Sequence, residues 1–259
     1  MIRLSGLSNT DSFYWGIMEF STTTLLVLII LFISTFIRSA LGFGDALIAM
    51  PLLAMVIGLQ VATPLTAMGA TTIAIIILVK AWKKVDIKAA WRLVVTTWIG
   101  IPIGIFFLKF APEILVKSLL GIIITGFGLY NLIVPNLPRL LNENWAYVTG
   151  LIAGILGGAY NTNGPPVVIY GMLRRWDSEK FRATLQGYFL PTGAAILVTH
   201  GLAGMWTSQV VQLYLYSIPV IIGAVLIGGK VNQLIPQGKF DKIIYGFLVV
   251  IGLLLIIRG

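Results

Sequence analysis

The chain has 259 residues, 58% of them hydrophobic and 10% charged, a net charge of +9 and a mean hydropathy of +0.97. No soluble core of that length hides so much hydrocarbon, so lipid must cover the remainder. With no cysteine and a single histidine, His200, the sequence excludes disulfides, thiolate metal sites, Cys nucleophiles and multi-histidine metal centres.

Residues 1–21 form an N-terminal extension, after which apolar stretches recur to the end of the chain. They lie near 22–40, 44–58, 62–80, 90–109, 113–134, 146–160, 164–173, 184–200, 210–229 and 241–258. A helix needs about 20 residues to cross roughly 30 Å of hydrocarbon. The stretches at 44–58, 146–160 and 164–173 are too short, and predict half-helices or re-entrant limbs.

Basic residues gather in three connectors, around Lys80 to Arg92, Arg174 to Arg182 and Lys230 to Lys242. The positive-inside bias puts these on the cytoplasmic side and both termini outside, in a multi-pass protein of the cell membrane. It also accounts for the positive charge without a nucleic-acid partner; membrane lipid is the expected partner, and assembly as a homo-oligomer is left open.

Self-comparison suggests a duplication. Gly42-x-Gly44 precedes Ala62-Thr63 at nearly the interval by which Asn163 precedes Ala183-Thr184, and Pro112, Lys117 and Gly121 are echoed by Pro236, Lys242 and Gly246. The expected organisation is a first membrane repeat at 22–134, a connector at 135–145 and a second repeat at 146–258. Five segments per copy is an odd number, so the copies should be inverted. The fold class is therefore an all-α polytopic membrane protein of two inverted repeats, with helices broken near mid-membrane.

The breaks hold the candidate site. The first reads Arg38-Ser39-Ala40-Leu41-Gly42-Phe43-Gly44-Asp45, and the second Asn161-Thr162-Asn163-Gly164-Pro165-Pro166. Gly permits unusual dihedrals, Asn and Thr cap helices, and Pro is tolerated in a first turn. Each break thus precedes a new helix start, whose free amides and positive dipole end suit an oxyanion. The expected binding residues are Arg38, Ser39, Gly42, Phe43, Gly44, Asp45, Asn161, Thr162, Asn163, Gly164, Pro165 and Gln186. Asp45 doubles as a proton-coupling carboxylate, because intramembrane charges are costly and tend to be functional. Thr63, Thr66, Thr71 and Tyr188 lie on the spans after each break, where they either line a cavity or join helices. His200 reads as a structural residue at the outer end of its span, and the tryptophans, Trp176 among them, as interface anchors.

At these breaks the chain resembles the sulfite exporter TauE/SafE family, which carries a Gly-rich motif near the start of each of two similar halves, followed by a Pro. Gly42-Phe43-Gly44-Asp45 with Pro51, and Asn161 to Pro166, are the counterparts, and the resemblance runs from about residue 22 to 258. It takes in Ala62-Thr63, Ala183-Thr184 and His200 to Trp206. It implies a secondary permease, working as an exporter, for sulfite, sulfonates or related small anions. The second break departs from the family's bare glycines, which implies a distinct substrate preference.

The rival readings are an anion channel and a membrane scaffold without transport. An intramembrane enzyme is disfavoured by the absence of Gly-x-Ser-x-Gly, His-Glu-x-x-His, Cys and paired aspartates within the spans. No Gly-x-x-x-x-Gly-Lys-Ser/Thr loop is present to use a nucleotide, and neither a cofactor nor a metal is expected.

Overall fold

The computed structural model describes residues 22–134, 140–174, 176, 178–232, 234 and 237–258. The N-terminal extension, the first part of the 135–145 connector, Arg175 and Pro236 lie outside the described residues. Among the described residues there are ten α-helices and no strand.

In chain order they are α1 (Thr22–Leu41), α2 (Asp45–Ile57), α3 (Leu59–Ala81), α4 (Ile87–Phe110), α5 (Glu113–Ile133), α6 (Trp145–Tyr160), α7 (Gly164–Leu173), α8 (Ser178–Leu202), α9 (Ser208–Asn232) and α10 (Gln237–Arg258). Each matches one apolar stretch of the sequence. Helices α1, α3, α4, α5 and α9 are long and apolar enough to cross a membrane. As expected from length, α2, α6 and α7 are shorter, at 13, 16 and 10 residues. Helix α8 begins earlier than its apolar stretch because polar residues from Ser178 onward still continue the helix.

Hydrocarbon is sorted by face. In α1, Val27, Ile30, Leu31 and Ile37 are buried, while Leu25, Leu26, Ile29, Phe32 and Ile33 are exposed, as befits a helix packed on one side and wet by lipid on the other. Between helices small residues bring backbones together. A methyl group on Gly104 would stand 2.0 Å from the carbonyl oxygen of Ile155, and one on Gly154 would stand 2.2 Å from that of Thr97. Gly100 and Gly158 repeat the pattern, so α4 and α6 meet along a seam with no room for side chains.

The packed pairs form an ordered set. Helix α4 packs on α6 and α1 on α9; α4 packs on α8 and α3 on α9; α3 pairs with α8 and α5 with α10. Mapping α1–α5 onto α6–α10 in order returns these same pairings.

Residue levels along the pairs give helix directions. Phe36 faces Gly228 and Ala40 faces Asn232, so α1 and α9 run the same way. Leu93 faces Gly150 and Gly104 faces Ile155, so α4 and α6 also run the same way. Helix α4, however, ends where α9 is about to begin, with Lys109 Nζ donating to the Ala203 carbonyl. It begins on the other face, where Arg92 meets Glu143. Helices α1 and α6 therefore point in opposite directions.

Each of these helices is followed by a short partner that turns back. Helix α2 runs through Gly58 into α3, whose Gln60 donates to the Leu108 carbonyl near the end of α4. Helix α7 instead finishes beside Leu140 and Glu143, on the face where α4 starts. The hairpins α1–α2 and α6–α7 thus enter from opposite faces, and their tips meet inside.

Candidate functional site

Each hairpin tip is shaped by its own residues. Gly42 and Gly44 have φ of 91° and 100°, a region in which an L side chain is strained. Asn161 closes α6 at φ 53°, and is the one non-glycine residue with positive φ among those described. Asparagine tolerates this conformation better than most residues. Its amide donates to Gly157 and that of Thr162 to Leu156, which ends α6 cleanly before α7 begins.

The helix starts differ in what they offer. In α2 the first helical backbone bond runs from Ile48 to Gly44, so the amides of Asp45, Ala46 and Leu47 have no acceptor inside the helix. In α7, Pro165 and Pro166 have no N–H, and side chains must supply donors that the backbone lacks. Asn163 Nδ2 lies 3.2 Å from Thr192 Oγ1, which turns its amide toward α8.

Both tips line one cavity of about 450 Å³, counted with its mouth. Arg38, Phe43, Gly44 and Asp45 come from the first tip, and Asn161, Thr162, Asn163, Gly164 and Pro165 from the second. Ala70 and Thr71 near the middle of α3, and Phe189 and Gly193 near the middle of α8, complete the wall. The cavity therefore lies near the mid-length of α3 and α8.

Its charges are paired. Arg38 is 2% exposed and donates through Nη1 to Asp45 Oδ2 at 2.8 Å and through Nη2 to Gln186 Oε1 at 3.0 Å. Gln186 Nε2 in turn donates to the Gly42 carbonyl at 2.7 Å. One side chain of α8 therefore holds both the cation and the backbone of the opposite tip. The guanidinium carbon of Arg38 lies 4.8 Å from the centroid of Phe189, whose Cζ packs against Gly164. Arg38 Nε is buried and has no hydrogen-bond partner, an unsatisfied donor on a residue that lines the cavity.

A family model, Sulfite exporter TauE/SafE, matches residues 26–255, which takes in every helix of the fold and both tips. The chain belongs to this family. A Probable sulfite/organosulfonate exporter TauE from Cupriavidus necator is 24% identical over 226 residues, covering 84% of this chain and 88% of that protein. No solved structure matches the chain.

In this TauE/SafE protein, nine of the twelve residues expected at the site line the cavity, and three lie behind its wall. Ser39 turns away: its hydroxyl donates to the Val225 carbonyl and packs against Gly228 of α9. Gly42 contributes its carbonyl to Gln186, and Gln186 supports Arg38 from behind rather than facing the cavity.

Thr71 lines the wall with its hydroxyl bonded back to the Ala67 carbonyl, Thr63 bonds back to the Leu59 carbonyl away from the cavity, and Tyr188 bonds to Thr97. Phe189 and Gly193 were missed in the sequence. An aromatic and a glycine in an apolar span carry no local signal, and only the packing of α8 between the tips reveals them.

His200, near the end of α8, is fully buried, with Nε2 3.3 Å from the Gly158 carbonyl. Trp176, beyond the end of α7, is half-buried, packs on Tyr170 and Phe181 and covers Gly171. No group of three or more metal-ligating side chains occurs among the described residues.

Proposed function

We propose that this chain is a secondary transporter, working as an exporter, that carries small sulfur-containing anions such as sulfite or organosulfonates by alternating access around the cavity. The observation that carries this reading is the meeting of two oppositely entering hairpin tips in one cavity. On this reading the two halves, 22–134 and 146–258, are inverted copies, supported by the exchange-related pairings and the opposed directions of α1 and α6. Two such copies can swap conformations, turning a cavity open to one face into one open to the other.

The anion is a substrate, held by Arg38, the free amides of α2 and the neutral donors Asn161 and Asn163, with Thr162 lining the wall beside them. Neutral donors suit a buried charge because they are cheap to desolvate beside it. Asp45, paired with Arg38, is the carboxylate that couples transport to a proton gradient, charged while the anion is bound and protonated on the empty return. The basic connectors support a cytoplasmic location for the face where α4 starts and an outside location for the start of α1 and the end of α10. The export direction is supported by the similarity to the Cupriavidus necator protein, a probable sulfite/organosulfonate exporter.

Proteoliposomes containing the purified chain test the reading. Labelled sulfite or a small sulfonate should show saturable counterflow, and Asp45→Asn should exchange substrate while losing the pH dependence of net flux. Ohmic single-channel current would establish a pore instead, and neither flux nor current would leave a scaffold.

A further inference from the structure

The cavity wall carries two formal charges, Arg38 and Asp45, and they cancel. The partial charges largely cancel as well. The positive start of α2 has the Asp45 carboxylate on its first residue, and each tip places a helix end with its carbonyls beside the next helix start. The other lining groups are neutral, with Asn161 and Asn163 as amide donors and Thr71 and Thr162 donating instead to the Ala67 and Tyr160 carbonyls, or apolar, namely Phe43, Leu47, Pro165 and Phe189. The pair itself is fixed, since Gln186 orients the guanidinium and Phe189 stacks on it.

We propose that the cavity selects by charge number, taking singly charged oxyanions and rejecting dianions of the same size, with Asp45 as the residue that sets the limit. This rests on the anion-transport reading above and narrows it. A first negative charge meets Arg38, the amides at the start of α2 and the Asn161 and Asn163 side chains, which together can offset its desolvation. A second charge has no further cation to meet. It lies instead within a few ångströms of the Asp45 carboxylate, in a setting where water screens poorly. Sulfite on this account travels as its singly protonated form, and sulfate is excluded despite its similar shape.

The test is calorimetric titration of the purified wild-type protein with three ligands of similar size. Sulfate is a tetrahedral dianion, perchlorate a tetrahedral monoanion, and methanesulfonate a monoanion in which a methyl group replaces one sulfate oxygen. Methanesulfonate and perchlorate should both bind, with sulfate about a hundredfold weaker. In Asp45→Asn, which removes the competing charge and keeps Arg38, sulfate should come within about tenfold of the monoanions. Equal binding of sulfate and methanesulfonate to the wild type would overturn the charge rule while leaving an anion carrier in place. Binding of methanesulfonate without perchlorate would overturn it too, by making the apolar wall the selector. A wild-type gap that persists unchanged in Asp45→Asn would remove Asp45 from the role. No binding of any of the three would overturn the anion site itself, and with it the reading on which the rule rests.

Discussion

The two hairpin tips face one cavity, yet they are built from opposite materials. The α1–α2 tip is charged, bends at two glycines and is held by groups from the other half of the chain, chiefly Gln186. The α6–α7 tip is neutral, bends at Asn161 and is held by its own backbone bonds to Gly157 and Leu156. Where prolines remove amides, asparagine side chains remain as donors; where amides are free, a carboxylate already sits among them. Equivalent places in a duplicated scaffold can thus diverge, one toward charge handling and the other toward hydrogen bonding. Breaking each tip in turn tests that division.

The largest effect is expected at the charged tip. Arg38→Gln leaves Asp45 buried at 7% exposure without its counter-charge, which should cost about 3–5 kcal/mol of stability. The double variant Arg38→Gln with Asp45→Asn should recover most of that loss in chemical unfolding in detergent, yet still fail to bind a sulfonate in calorimetry. If the double variant is as unstable as the single one, the cost lies in packing and not in the orphaned charge. If it still binds sulfonate, the charged tip is a structural pair, and the contrast between the tips concerns folding alone.

A smaller effect is expected at the neutral tip. Asn163→Leu removes a lining donor and the bond to Thr192, and should weaken sulfonate binding about tenfold while the protein stays folded. Gly44→Leu makes a backbone comparison at the first tip. There is open space for a side chain, but φ of 100° forces strain of about 1–2 kcal/mol, so binding should fall through a misplaced α2 start. Unchanged affinity in both variants would remove the tips from the ligand site.

This division bears on what the sequence could disclose. Helix breakers in otherwise apolar stretches are local signals, so both tips, and even the shortness of α2, α6 and α7, were legible before any coordinates. The convergence of the tips followed from the expected inversion. What stayed hidden depends on rotation about helix axes. Ser39 stands next to Arg38 in the chain, but an α-helix turns successive residues by about 100°, and this one carries Ser39 onto α9. Gln186 was recognisable as a polar residue in a span, yet only the level of α8 against Gly42 makes it a brace instead of a ligand. Phe189 and Gly193 are ordinary membrane-helix residues that matter because of where α8 passes.

The smallest expected effect lies outside the cavity, where the neutral hairpin meets the surface. Glu143 accepts from Arg92 and, at 2.9 Å, from Arg174, while Arg174 also donates to the Leu140 and Leu141 carbonyls. This cluster ties the connector to the end of α7, a tether with no such charged counterpart at the end of α2 among the described residues. The hydrogen bond from Arg92, then its charge and that of Arg174, hold the Glu143 carboxyl below the usual glutamate range. A lowered folded value means that the stabilisation is present above the unfolded glutamate pKa and is lost as pH falls through the folded one. Because these groups are exposed, solvent and salt reduce what the cluster contributes. Glu143→Gln should therefore be slightly less stable than the wild type at neutral pH and low salt, with the difference closing in acid and at high salt. Thermal unfolding of both proteins across pH would check it; a difference that grows in acid would mean that the connector is held by its backbone bonds and not by this charge.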